Sequence, residues 1–268
     1  IDTLDMIEKN MKNKNDYSLY TGMLDLDQLT CGLHNEELTI IGARPGMGKT
    51  TFALQIADYI AKKKIPVMFI SLEMSEEQII TKLIAKETRI NSTKMRLGTL
   101  TDQEAVKVYE AGAELEEKSL YITSNLRTIQ QIEVEARKMK NKKNIGLIII
   151  DYIQLIKSSQ KFNLREQEVA DITRTLKLLT LELKIPIIGL CQLNRNATRQ
   201  EPMLSDLRES GAIEQDADNV IFIYQEEETD AAAPVVTIKL AKQRAGSTGK
   251  VNMIFRKVYS EFVNIIRR

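Results

Sequence analysis

The stretch from Leu38 to Ala61 constrains this chain more than any other. Leu38-Thr39-Ile40-Ile41 is apolar enough to be buried on both faces, as the central strands of parallel sheets are. It runs directly into Gly42-Ala43-Arg44-Pro45-Gly46-Met47-Gly48-Lys49-Thr50, after which Phe52, Ala53, Ile56, Ala57 and Ile60 recur at helical spacing. A glycine-rich turn between a buried strand and a helix start gathers backbone N–H groups into a concave anion site. Gly46 and Gly48 permit the backbone angles and the close approach that such a site needs. Lys49 is then placed to reach the β- and γ-phosphates of a nucleoside triphosphate, and the Thr50 hydroxyl to ligate Mg²⁺. The strict form of this loop has glycine where Ala43 stands. The nucleotide-binding run is read as Ala43, Arg44, Pro45, Gly46, Met47, Gly48, Lys49, Thr50 and Thr51.

The alternation continues beyond the loop. Strands are predicted at 67–72, 120–122, 145–150 and 185–190, with helices over 75–88, 101–116, 128–140 and 165–183. Buried strands alternating with helices imply a mainly parallel sheet flanked by helices. After residue 218 the helical pattern stops, and 220–224, 235–240, 251–255 and 262–266 read as consecutive strands broken by Gly246, Gly249 and Ser260. The expectation is an α/β core with a C-terminal antiparallel β extension. The run Glu226-Glu227-Glu228-Thr229-Asp230 reads as a solvated hairpin tip. Residues 1–16, with Leu4, Ile7 and Met11 in register, read as a short helix that docks either on its own domain or on a neighbouring subunit. The predicted division is a linker helix and connector over 1–20 and one large domain over 21–268.

Bulk properties bound the rest. Hydrophobic residues make up 43% and charged residues 28% of the 268, ordinary for a globular domain. No apolar run approaches the roughly 18 residues of a membrane span, and the start has no apolar signal-peptide core. Because it begins at Ile1 and not at Met, the chain is expected to be a domain of a longer protein. Cys31 and Cys191 are the only cysteines, too few for a disulfide framework, and no paired ligands suggest zinc. The single His34 reads as a surface residue. These features fit a reducing, cytoplasmic location. The formal net charge of +1 gives no compositional support for nucleic-acid binding.

Three further strand ends carry candidate chemistry. Asp151 closes the apolar run 145–150, where a carboxylate can hold the metal of a phosphate-loop enzyme or cap a helix. Glu73 follows the strand at 67–72, where it can act as general base or cap the next helix. Gln192 ends a strand in the same way, and its amide can sense the γ-phosphate.

With these residues in this order, the chain resembles the RecA-like C-terminal ATPase domain of the DnaB-type replicative DNA helicases, from about Thr21 onward. The resemblance rests on residues 43–50, Ser71-Leu72-Glu73-Met74, Ile150-Asp151-Tyr152-Ile153-Gln154-Leu155, Gln192-Leu193-Asn194-Arg195, the stretch 206–218, and Ala241-Lys242-Gln243-Arg244. It implies ATP and Mg²⁺ as ligands. Lys49 and Thr50 would bind phosphate and metal, Asp151 would hold the metal, Glu73 would be the base, and Gln192 would link nucleotide state to DNA. Lys242 and Arg244 would reach into the next subunit's site, and for Arg244 no acidic partner is evident in the sequence. Arg208, Glu209 and Gly211 would form a pore loop on single-stranded DNA, with 157–164 as a second inner loop. The alternative for Arg208 is a pairing with Asp206 or Glu209.

Family members are homohexameric rings that move 5′→3′ ahead of the fork, which implies a primase and a loader as partners in a bacterial or phage primosome. The family's N-terminal primase-interacting domain is absent from this stretch. Gly46 and Cys191 stand where serines are common, and Lys82 replaces a frequent arginine. Two other readings compete: a RadA-like recombination and repair ATPase, and a phosphate-loop protein switch without a nucleic-acid role. The stretch Arg208-Glu209-Ser210-Gly211 favours the helicase over the first, and the near-neutral charge keeps the second open.

Overall fold

The computed structural model describes residues 18–193, 201–207, 210–226 and 231–265. The expected helix at 1–16, Asn194, Arg195, Arg208, Glu209, residues 227–230 of the acidic tip and Ile266 lie outside the described residues. A small antiparallel ribbon, β1 (Ser18–Leu19) with β2 (Leu33–His34), brackets α1 (Leu24–Thr30). His34 is half-buried within that ribbon.

The alternating core follows: β3 (Leu38–Ala43), α2 (Lys49–Lys62), β4 (Val67–Ser71), α3 (Glu76–Thr88), α4 (Ser92–Leu97), α5 (Asp102–Glu116), β5 (Leu120–Thr123), α6 (Ile129–Lys143), β6 (Leu147–Asp151), α7 (Arg165–Leu183) and β7 (Ile187–Gln192). Next come α8 (Ser210–Asp216) and the strands β8 (Asn219–Tyr224), β9 (Val235–Gln243), β10 (Gly249–Arg256) and β11 (Glu261–Asn264). The order across the nine-stranded sheet is β11-β10-β9-β8-β3-β7-β6-β4-β5. From β8 to β5 the neighbours are parallel, whereas β9, β10 and β11 add on antiparallel. This is the RecA-like architecture with the expected C-terminal extension.

The apolar strands are buried because both faces of the sheet are covered. On one side Ile41, Phe69, Ile149 and Ile221 meet Phe52, Ile56 and Ile60 of α2. On the other, Ile40, Ile70, Ile148 and Phe222 meet Ile132 of α6 and Ile172 and Leu176 of α7. Each such side chain removed from water contributes about 1.5–3 kcal/mol. Helix starts follow local sequence: Ser75 with Gln78, Thr101 with Glu104 and Thr128 with Gln131 form reciprocal capping boxes.

The C-terminal extension packs under the phosphate-loop helix. Phe255 stacks on Phe262 with ring centroids 4.5 Å apart, and Phe262 meets Phe52 edge-on at 5.2 Å. Gln55 donates to the Phe262 carbonyl and accepts from its N–H, both at 2.8 Å. Beside this layer, Asp58 is buried with Lys86, Lys118 and Lys62 around it. Among the described residues, no helix is long and apolar enough to cross a membrane.

Candidate active site

The C-terminal ends of four parallel strands lie side by side. Ala43 is opposite Gln192 and Ser71 opposite Asp151, which is the sheet edge where ligands of open α/β folds collect. They open into a cleft lined by Arg44, Lys49, Thr50, Glu73, Lys82 and Gln192, among others.

The loop itself depends on two glycines. Gly46 has φ 81° and Gly48 φ 82°, angles that L side chains rarely adopt. A Cβ on Gly48 would also lie 2.6 Å from the Phe255 ring. Sterics and backbone angle therefore both require glycine there, and the aromatic layer of the extension sets the floor of the loop.

Lys49 and Thr50 open α2 and turn toward Asp151. Thr50 Oγ1 donates to Asp151 Oδ2 at 2.6 Å. Lys49 Nζ lies 3.4 Å from Asp151 Oδ1 and 4.3 Å from the centroid of the Tyr152 ring. The Asp151 side chain is fully buried, and its Oδ1 has no hydrogen-bond donor among the described residues. A buried carboxylate oxygen left this way is suited to a cation. With the Thr50 hydroxyl and the phosphate oxygens of a bound nucleotide, the donor set is all hard oxygen, which fits Mg²⁺. The alternative of a helix-capping Asp151 is excluded, since the 3₁₀ turn Ile153–Leu155 that follows takes no side-chain cap.

Glu73 is exposed, two residues beyond the end of β4. The bend presenting it is fixed by Ser71, whose hydroxyl donates to the Met74 carbonyl at 2.6 Å and accepts from Met74 N–H at 3.1 Å. Ser75, not Glu73, caps α3. Glu73 is thus free of the structural role the sequence left open. Lys82, one turn after the buried Ile79, also reaches the cleft. Burial pushes its ammonium below the usual lysine range, opposed by the Asp151 carboxylate. In the sequence Lys82 stands out only as a lysine in place of a frequent arginine, because nothing in the local pattern reveals that α3 reaches the cleft.

The other candidates lie elsewhere. Lys242 and Arg244, at the end of β9, are not among the residues lining this cleft. Lys242 donates to the carbonyls of Glu214 and Ala217 at the C-terminal end of α8. Arg244 donates to Gln215's carbonyl and, at 3.1 Å, to Asp218 Oδ1. The expectation that Arg244 has no acidic partner is therefore corrected: Asp218 is distant by 26 positions in sequence but adjacent across the fold. Half of the Arg244 side chain stays exposed, at 49%.

Gly211 is placed in the first turn of α8, not in a loop, with open space around it. The segment 157–164 is largely irregular, tied down where Ser158 N–H donates to Glu168 and Ser158 Oγ to Asp171. Before α8, Glu201 bonds both Lys239 and Lys250 at 2.7 Å, which holds its carboxyl down to about 2. That clamp fixes residues 201–202 to the antiparallel strands.

Comparison with known proteins agrees with this geometry. A family described as "DnaB-like helicase C terminal domain" matches residues 18–264. The "Replicative DNA helicase DnaC" of Bacillus subtilis is 40% identical over 280 residues, covering 100% of this chain and 61% of that protein. The "Replicative DNA helicase DnaB" of Geobacillus stearothermophilus is 41% identical over 259 residues, covering 92% of this chain and 57% of that protein. This chain thus spans about three-fifths of the length of these relatives. Among solved structures, one described as an "ATPase Domain" superposes with TM-score 0.88 at 32% identity, covering 98% of both chains. A "DnaB-Like Replicative Helicase" solved for "Its Interactions With Primase" gives TM-score 0.89 at 32% identity, over 98% of this chain and 66% of that one. By its phosphate loop, its strand-end carboxylates, its sheet order and these matches, the chain belongs to the DnaB-like helicase C-terminal domain family.

Proposed function

We propose that this chain is the ATP-hydrolysing motor of a replicative DNA helicase that moves 5′→3′ on single-stranded DNA as a homohexameric ring. The observation that carries the reading is the convergence of Lys49, Thr50 and Asp151 beside the exposed Glu73. The loop N–H groups and Lys49 hold the β- and γ-phosphates of ATP. Thr50 and Asp151 would hold Mg²⁺, which when bound neutralises charge on the phosphates. Glu73 takes a proton from the attacking water, whose oxygen bonds to the γ-phosphorus as the bridging oxygen leaves with ADP. Gln192 senses the γ-phosphate from the end of β7. Lys242 and Arg244 serve the neighbouring subunit's site, stabilising charge on the transferred group.

Arg208, Glu209 and Gly211 contact the strand backbone, with 157–164 as a second inner loop, and the near-neutral net charge is met by few contacts per subunit. Residues 1–20 act as linker and connector. The whole protein's partners are a primase and a loader, in a bacterial or phage-infected cytoplasm. The family match favours this reading over a RadA-like ATPase and over a switch without nucleic acid. The test is ATP hydrolysis with and without single-stranded DNA of mixed sequence. Stimulation that weakens as salt rises is expected, and turnover indifferent to DNA overturns the reading.

A further inference from the structure

Strand β7 outruns its neighbour. On one side it pairs with β3 along its whole length, from Leu38 opposite Ile187 to Ala43 opposite Gln192. On the other its ladder with β6 stops at Ile150 opposite Gly189. The Gln192 N–H and C=O point to that unpaired side, since it is Leu193 N–H that donates to Ala43. Both groups are nevertheless satisfied by one side chain. Gln154 Oε1 accepts from Gln192 N–H at 3.2 Å, and Gln154 Nε2 donates to the Gln192 carbonyl at 3.1 Å. The same nitrogen lies 2.8 Å from Cys191 Sγ.

Gln154 sits in the 3₁₀ turn Ile153–Leu155, three residues after Asp151. The turn is itself anchored: Arg165 of α7 donates to the Gln154 carbonyl at 2.9 Å and the Ile156 carbonyl at 3.1 Å. We infer that Gln154 is a positioning residue, its carboxamide replacing the missing strand beside Gln192 and rigidly linking the Asp151 segment to the strand end that leads toward residues 194–211. A carboxamide is the one side-chain group that can offer a donor and an acceptor together in the manner of a peptide. A side chain bonded through both its carboxamide atoms to the Gln192 backbone, on a turn that starts two residues after Asp151, transmits displacement between the metal-holding carboxylate and the Gln192 strand end, so that DNA contact and hydrolysis respond to each other. This rests on the reading above, in which Gln192 couples nucleotide state to DNA.

The test is the ratio of DNA-stimulated to DNA-free ATP turnover in Gln154→Met, which fills the same volume and removes both bonds. The ratio is expected to fall by about fivefold or more, the lower end of typical coupling between sites. In a Gln192→Ala background, Gln154→Met is expected to change the ratio no further, because the two act as one unit. A purely structural role would add its effect in both backgrounds. If wild type is stimulated and Gln154→Met is stimulated equally, the inference is overturned while the helicase reading stands. If wild type is not stimulated, the reading falls and the inference with it. Should Gln154→Met lack a cooperative melt, Gln154→Glu decides on the same ratio, since it keeps the acceptor for Gln192 N–H and loses the donor.

Discussion

Thr50 and Asp151, 101 residues apart in sequence, share a hydrogen bond of 2.6 Å at the mouth of the sheet. The hydroxyl and the carboxylate are thereby held together as a pair. In Asp151→Asn the amide oxygen can still accept from Thr50, so the fold should be retained while the negative charge is lost. Calorimetric titration with ATP is expected to show that Mg²⁺ no longer strengthens binding, with the binding measured in EDTA little changed. An undiminished Mg²⁺ effect would remove Asp151 from the metal site.

Lys49→Ala removes the ammonium at the start of α2, whose Nζ lies 3.4 Å from Asp151 Oδ1. Turnover is expected to fall ~10²–10³-fold, the scale for losing one charge-stabilising donor, with weaker nucleotide binding. Near wild-type hydrolysis in a steady-state assay would end the phosphate-loop assignment.

Glu73→Gln should separate binding from chemistry. Because Ser75 provides the cap of α3, the substitution leaves the helix start intact. ATP–Mg²⁺ affinity is expected to persist while turnover drops at least ~10²-fold, the usual contribution of a general base. Parallel losses in both would instead assign Glu73 to binding.

Arg244→Ala is expected to lower turnover on the order of 10³-fold if it acts in a neighbour's site. Mixed with Glu73→Gln it should regain activity wherever an intact site meets an intact Arg244. Mixtures shown to co-assemble by mass measurement, yet without recovery, would count against a shared site. The Asp218 contact gives a local alternative, in which Arg244 only braces the end of α8.

Stability should depend on Asp58. Burial pushes its carboxyl up, but Lys86 and Lys118 together outweigh that and hold it below the ordinary carboxylate range. A depressed folded-state value means that the stabilisation is complete above the unfolded value of about 3.9 and disappears as pH falls through the folded one. Asp58→Ala is expected to cost about 3 kcal/mol near neutrality, the scale for breaking a buried ion pair. Urea unfolding at stepped pH checks this: the gap between wild type and variant should stay level down to about pH 4 and narrow below it. A gap independent of pH would mean that packing, not charge, is lost.

The long elements were legible because each buries a continuous face. α7 occupies Arg165–Leu183, the span that periodicity predicts, since Val169, Ile172, Leu176, Leu179 and Leu183 are all buried on one stripe. α1, α4 and α8 were not anticipated, as helices of six or seven residues give periodicity too little length, and α4 buries no residue at all. In the site, Asp151 and Gln192 are the last residues of β6 and β7, as their apolar runs suggest, whereas β4 ends at Ser71, two residues before Glu73. What could not be read were partnerships across the fold: Asp218 for Arg244, Gln154 for Gln192, and α3 bringing Lys82 over the loop.

The aromatic floor beneath Gly48 has a consequence for how the protein is made. Gln55 and Phe262 are 207 positions apart, and β3 itself lies between two strands that come far later in the chain. At about 5–20 residues per second, a ribosome needs roughly 10–40 s to pass from one to the other. For that interval the nascent chain carries its entire phosphate-binding motif without the floor that shapes it. Nucleotide capture in the finished geometry is thereby deferred to the last stage of synthesis, and a chain stalled before β10 would emerge with the motif but without the Phe255 and Phe262 rings that support Gly48.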